Sequence, residues 1–130
     1  MNQKIAHISL LVNDYDEALQ FYTEKLNFDL IEDTVLNEDK RWVLIAPKNS
    51  KGFSLLFAKA SNDIQRTLIG NQAGGRVFLF LNTDNIKRDF ETFKNNGVKF
   101  IREPKTESYG TVAVFEDLYG NLWDLIEANK

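Results

Sequence analysis

The sequence predicts an α+β fold made of two consecutive βαβββ modules. Two observations lead there. An alternating apolar segment, a helix-spaced segment and three further alternating segments occur in that order, and then the whole order recurs. Landmarks also recur: Phe21 and Phe90 occupy similar places in the two helices, and Gly52 and Gly120 open the two final strands.

In the first module, Lys4 to Val12 alternates with β character and closes at Asn13-Asp14. Asp14 suits a helix N-cap. Ala18, Leu19, Phe21, Tyr22 and Leu26 follow at helical spacing. Phe28 to Leu36, Arg41 to Ala46 and Phe53 to Ala58 read as three strands. Asn37-Glu38-Asp39 and Asn49-Ser50-Lys51-Gly52 separate them as turns. Ser61-Asn62-Asp63-Ile64 reads as the start of a short connecting helix, and the Gly-rich run from Gly70 to Gly75 as a linker.

The second module starts with a strand over Arg76 to Asn82. Thr83 or Asp84 is expected to cap a helix carrying Ile86, Phe90 and Phe93, and Asn96-Gly97 to stop it. Val98 to Arg102, Thr111 to Phe115 and Leu122 to Glu127 supply the remaining strands. The last two are joined by a turn at Tyr119-Gly120-Asn121, where Gly and Asn tolerate positive φ. The expected organisation is one domain over 1–130, with module one at 1–60, a linker at 61–75 and module two at 76–130.

Composition limits the function. A chain of 130 residues can bury roughly two-thirds of its surface. A net charge of −3 gives no reason to expect nucleic acid or an anionic membrane as partner. The absence of cysteine rules out disulfides, thiolate nucleophiles and Cys-ligated metals, and fits the cytoplasm. No apolar run is long enough for a signal peptide or a membrane span. A Gly-rich phosphate loop and a nucleophile elbow are both lacking.

The closing run, Glu116-Asp117-Leu118-Tyr119-Gly120-Asn121-Leu122-Trp123-Asp124-Leu125, places a carboxylate inside an apolar strand, which is costly unless the group is used. This run, the opening His7-x-x-x-x-Val12-x-Asp14, the Phe21-Tyr22 pair and Tyr109-Gly110 together resemble the vicinal oxygen chelate superfamily, the group of glyoxalases, bleomycin-resistance proteins and extradiol dioxygenases. The resemblance implies curved mixed sheets around a cleft. It also implies four metal-ligand positions, on the first, fourth, fifth and eighth strands. Here these fall on His7, on Leu56 (or Ser54 in a shifted register), on Phe78 (or Arg76) and on Asp124. In the superfamily's closing turn a Pro stands where this chain has Leu118, and a Glu stands where it has Asp124.

Side-chain alternation extends this reading. Ala6, Ile8, Leu10 and Val12 suit the helix-covered face, leaving His7, Ser9 and Leu11 for the cleft. Val77, Leu79 and Leu81 likewise leave Arg76, Phe78 and Phe80 for the cleft. Asp124 shares a face with Leu122 and Ile126. A catalytic metal site needs about three protein ligands, and a single histidine with Leu56 and Phe78 at ligand positions does not supply them. No cofactor is therefore expected.

The expected function is binding of a small organic molecule, as in bleomycin-resistance proteins, with a degenerate metal site. The ligand-binding candidates are Ser9, Trp42, Leu56, Arg76, Phe78, Phe80 and Tyr109. The alternative is a lyase, isomerase or dioxygenase of the same superfamily in which His7 and Asp124 are catalytic, His7 as base or lone imidazole ligand. Asp124 also has a plainer reading, a cross-strand ion pair with Arg76. A homodimer is expected, because modules of this kind leave a sheet edge and an apolar flank for symmetry to cover.

Overall fold

In the first repeat, the chain turns from strand to helix where Asp14 caps the helix end. The carboxylate of Asp14 accepts the Glu17 N–H at 2.9 Å. In this computed structural model, which describes residues 1–129, the preceding strand β1 spans His7–Val12 and the helix α1 spans Tyr15–Gln20. The helix widens into a π-helical turn over Phe21–Lys25, and both Phe21 and Tyr22 are buried there. Three strands follow: β2 (Asp29–Val35), β3 (Arg41–Ala46) and β4 (Ser54–Lys59). A short helix α2 (Asp63–Leu68) is capped by Asn62, which accepts the Gln65 N–H at 2.8 Å.

The second repeat runs β5 (Val77–Asn82), α3 (Ile86–Asn95), β6 (Phe100–Glu107), β7 (Gly110–Glu116) and β8 (Leu122–Ala128). Its helix is capped by Asn85, which accepts the Arg88 N–H at 3.0 Å, rather than by Thr83 or Asp84. Thr83 instead accepts the Asn85 N–H at 3.1 Å and so positions the cap. Gly97 stops the helix with φ +91°, as its place after Asn96 predicts.

Each repeat forms one four-stranded mixed sheet, with orders β1-β4-β3-β2 and β5-β8-β7-β6. In both, the first strand pairs in parallel with the last and the other pairings are antiparallel. The chain divides into two compact units, Met1–Ile69 and one that starts at Gly70, so α2 belongs to the first.

In the first unit Leu10, Val12, Val43, Ile45, Leu55 and Phe57 bury one sheet face with Ala18, Phe21 and Tyr22. Tyr22 lies 5.8 Å from Phe57 and 5.6 Å from Phe28, ring centre to ring centre. In the second unit Phe115 stacks on Trp123 at 5.7 Å, and Phe93 meets Phe115 edge-on. His7 and Ser9, Leu56 and Ala58, and Asp124 are left on the opposite, open faces of their own sheets.

One expectation about facing changes. The pairing of β5 with β8 slips between Val77 and Leu79, so two residues of β5 stand against one step of β8. Phe78 is the extra residue of this bulge. Val77 therefore pairs with Leu122 on the open face instead of turning toward the helix. Arg76 falls outside the strand, in a turn where its N–H donates to the Ala73 carbonyl, and is exposed.

Candidate functional site

The open face of the first sheet is built by register. Ser9 of β1 pairs with Leu56 of β4, and Leu56 with Leu44 of β3. Trp42 shares that face because it lies two residues from Leu44. At one end of this face Ser9, Trp42, Leu56 and Ala58 line a cavity of about 570 Å³. Its rim comes from the β2–β3 turn and the first residue of β3 (Asn37, Asp39, Lys40, Arg41) and from the start of the α2 segment (Ser61, Gln65), with Tyr15, Phe57 and Lys59 also in the lining.

Both rim segments are held by their own hydrogen bonds. In the turn, Leu36 N–H and Asn37 N–H donate to the Lys40 carbonyl, and Asp39 N–H donates to Asn37 Oδ1. In the second segment, the backbone N–H and the hydroxyl of Ser61 both donate to Gln65 Oε1, at 2.7 and 3.0 Å.

Arg41 joins three elements at the rim. Its Nε and one terminal nitrogen donate to the two carboxylate oxygens of Asp33, at 3.1 and 2.6 Å. Its other terminal nitrogen donates to Asp16 at 2.8 Å. The guanidinium lies over the Tyr15 ring at 5.2 Å, and Tyr15 Oη accepts the Arg41 N–H. Hydrogen bonds donated to Asp33 and then to Asp16 raise the guanidinium above its ordinary pKa, so it stays charged. Arg41 is therefore a brace, not a free cation.

His7 lies on the same sheet face with its ring exposed. Its Nδ1 is 3.2 Å from Ser54 Oγ, and its ring stands edge-on to Trp42 at 6.0 Å. Among the first-unit candidates, Ser9, Trp42 and Leu56 share the cavity, and His7 adjoins it through Trp42. Tyr15, Lys40, Arg41, Lys59, Ser61 and Gln65 were not anticipated. The turn at residues 37–39 and the connecting helix were legible, but no local pattern tells that they converge over one end of a sheet.

The second unit places its candidates differently. Asp124 pairs with Phe80 on one side and Val114 on the other, and Val114 pairs with Arg102. The open face thus carries a row of Phe80, Asp124, Val114 and Arg102, with Phe80 64% exposed. Partial burial raises the Asp124 carboxyl above its ordinary 3.8, and the charge of Arg102 opposes that rise. Among the described residues the ion pairs include none between Arg76 and Asp124, so Arg102 replaces Arg76 as the charge that Asp124 senses. Tyr109 sits at the β6–β7 turn, 59% exposed, and Phe78 lies in the bulge.

Of the four residues at the metal-ligand positions, His7 and Asp124 carry a donor atom. Leu56 and Phe78 have no donor atom, and His7 Nδ1 lies 3.2 Å from the Ser54 hydroxyl. Asp124 lies between apolar side chains and faces a positive charge. Among the described residues no three His, Cys, Asp or Glu side chains gather in a group able to hold a metal.

Comparison with known proteins agrees with this architecture. The chain is 62% identical over 130 residues to an uncharacterized protein of Shewanella frigidimarina (strain NCIMB 400), covering 99% of this chain and 96% of that one. The crystal structure of UcmS2 superposes with a TM-score of 0.85 at 30% identity, covering 97% and 98% of the two chains. That of TnmS3, an antibiotic binding protein from Streptomyces sp. CB03234, superposes with a TM-score of 0.80 at 28% identity, covering 98% of each. The sequence profile of one family spans residues 4–125, nearly both repeats from the first strand to the last. The doubled βαβββ unit, its sheet order and this match together establish that the chain belongs to the Glyoxalase/Bleomycin resistance protein/Dioxygenase superfamily.

Proposed function

We propose that this protein binds a small organic molecule in the cavity of its first unit and does so without a metal. The cavity carries this reading. At about 570 Å³ it is in the size range of small-molecule sites, which is roughly 300–1,000 Å³. It combines an apolar floor of Trp42, Leu56 and Ala58 with a few fixed polar groups, as such sites do. The likeness to TnmS3, whose described role is antibiotic binding, supports a binding function. The donor-poor ligand positions support one that needs no metal.

The test is a thermal-shift and tryptophan-fluorescence screen of small aromatic and anionic compounds, on chelator-treated protein and on protein supplied with Zn²⁺ or Mn²⁺. At least one compound class is expected to raise the melting temperature equally in both preparations. Trp42→Ala should abolish that shift. Binding that appears only with metal would overturn the metal-free reading, and a panel without a binder would overturn the assignment of the cavity.

The protein is further proposed to be a cytoplasmic homodimer without nucleic-acid or membrane partners. The exposed apolar side chains of edge strand β2 (Leu30, Ile31 and Val35) support self-association. No helix among the described residues is long and apolar enough to cross a membrane. Light scattering at micromolar concentration should give twice the chain mass of 15.0 kDa.

A further inference from the structure

The charges around the first-unit cavity are unevenly committed. Its lining has three cationic side chains, Lys40, Arg41 and Lys59, and one acidic one, Asp39. Arg41 is occupied by Asp16 and Asp33. The ion pairs of the described residues include neither Lys40 nor Lys59. Arg41 with its two carboxylates is a cluster of net charge −1, and the rest of the lining carries two ammonium groups outside any ion pair, Lys40 and Lys59, against the carboxylate of Asp39. The chain as a whole has a net charge of −3. The surround is close to neutral in sum, but its two lysines have no carboxylate partner, and unpaired ammonium groups beside an apolar floor favour contact with an anion.

We infer that the cavity takes a planar aromatic anion. Its ring system lies against Trp42 and Leu56, and its carboxylate, sulfonate or phenolate meets Lys40 and Lys59. The assignment rests on the binding reading above and adds the ligand class to it. Two features support the ring component. Trp42 offers a broad π surface, held on one side by the His7 ring. The braced Arg41 next to it in sequence fixes the strand that presents it. Lys40 and Lys59 suit an anion of variable geometry, because an ammonium acts as a flexible point charge.

Two probes of one scaffold test this. 8-Anilino-1-naphthalenesulfonate is anionic, and N-phenyl-1-naphthylamine is its neutral counterpart without the sulfonate. Titrated by fluorescence at low salt, the wild-type protein should bind the sulfonate at one site per chain. Its affinity for the sulfonate should be roughly tenfold tighter than for the amine, a preference that fades with added salt. The double variant Lys40→Gln/Lys59→Gln should lose that preference and keep its affinity for the neutral probe. Trp42→Ala should weaken both probes, and Asp39→Asn should tighten the sulfonate. Thermal melts of each variant monitor folding, and the exposed positions Asp39, Lys40 and Lys59 should leave them unchanged. Equal wild-type affinity for the two probes would overturn the anion assignment while the binding reading stands, and so would a lysine double variant that weakens both alike. If neither probe binds, the cavity is not the site and both readings fail.

Discussion

The buried carboxylate of Asp117 holds the last turn through Asn121. Its Oδ1 accepts the Asn121 N–H and its Oδ2 accepts the Asn121 side-chain amide, each at 2.9 Å. The same Oδ1 also accepts the N–H groups of Tyr119 and Gly120, at 3.0 and 3.1 Å. One side chain therefore accepts from three backbone donors of the tight turn, and the Gly120 N–H also donates to the Asp117 backbone carbonyl.

Asp117→Ala should be severely destabilising, by about 3 kcal/mol or more, because it removes four hydrogen bonds, two of them the buried ones to the Asn121 N–H and side-chain amide. Asp117→Asn should cost much less, about 1 kcal/mol. Asn121 Oδ1 is buried without a hydrogen-bond partner, so a flip of the Asn121 amide would let it accept from the new Asn side chain. Urea melts of both variants check this. Equal losses would show that packing, and not the acceptor, is what the turn needs.

Gly70 should not tolerate a side chain. A Cβ there would sit 1.9 Å from the backbone oxygen of Tyr119, and φ is +79°. Gly74, at φ +64°, faces open space. Gly70→Ala should therefore cost well above the backbone penalty of about 1 kcal/mol expected for Gly74→Ala. Paired denaturation curves give the comparison, and similar midpoints would show that the chain at residue 70 yields easily.

Asp124 should make stability depend on pH in a particular direction. Its carboxyl is raised above 3.8 by partial burial, so between the unfolded and folded pKa values the native state holds more protons than the unfolded one. Stability from this group is thus fully present below about pH 3.8 and is lost as pH rises through the folded pKa. Asp124→Asn should stabilise the protein at pH 7, by less than about 1 kcal/mol given solvent exposure and the opposing charge of Arg102. The gain should vanish in acid. Melts at pH 3.5 and 7 measure it, and a loss of stability at pH 7 would mean that the ionised form is favoured. In a double-mutant cycle Asp124 should couple to Arg102 and not to Arg76.

Leu56→Trp should fill the first-unit cavity from its floor. Binding of 8-anilino-1-naphthalenesulfonate should fall at least tenfold, while stability changes by under about 1.5 kcal/mol because the added ring enters existing space. Fluorescence titration and a thermal melt together decide this. Unchanged probe affinity would place the bound probe elsewhere.

The sequence by itself determined the doubled βαβββ order, the cap at Asp14, the start of a short helix within Ser61-Asn62-Asp63-Ile64, the helix stop at Gly97 and the open-face positions of His7, Ser9 and Asp124. These are local properties: side-chain alternation, turn chemistry and capping act over a few residues, so they are written in contiguous sequence. The rest depended on register and on contacts across long separations. The bulge at Phe78 reversed the facing of Val77 and left Arg76 outside the strand, so Asp124 senses Arg102. The brace of Arg41 on Asp16 and Asp33 joins residues from three elements. The cavity needs a turn and a connecting segment to meet over one end of a sheet. No periodicity records these, because a single inserted residue or a loop's approach is decided by the packing of the whole unit.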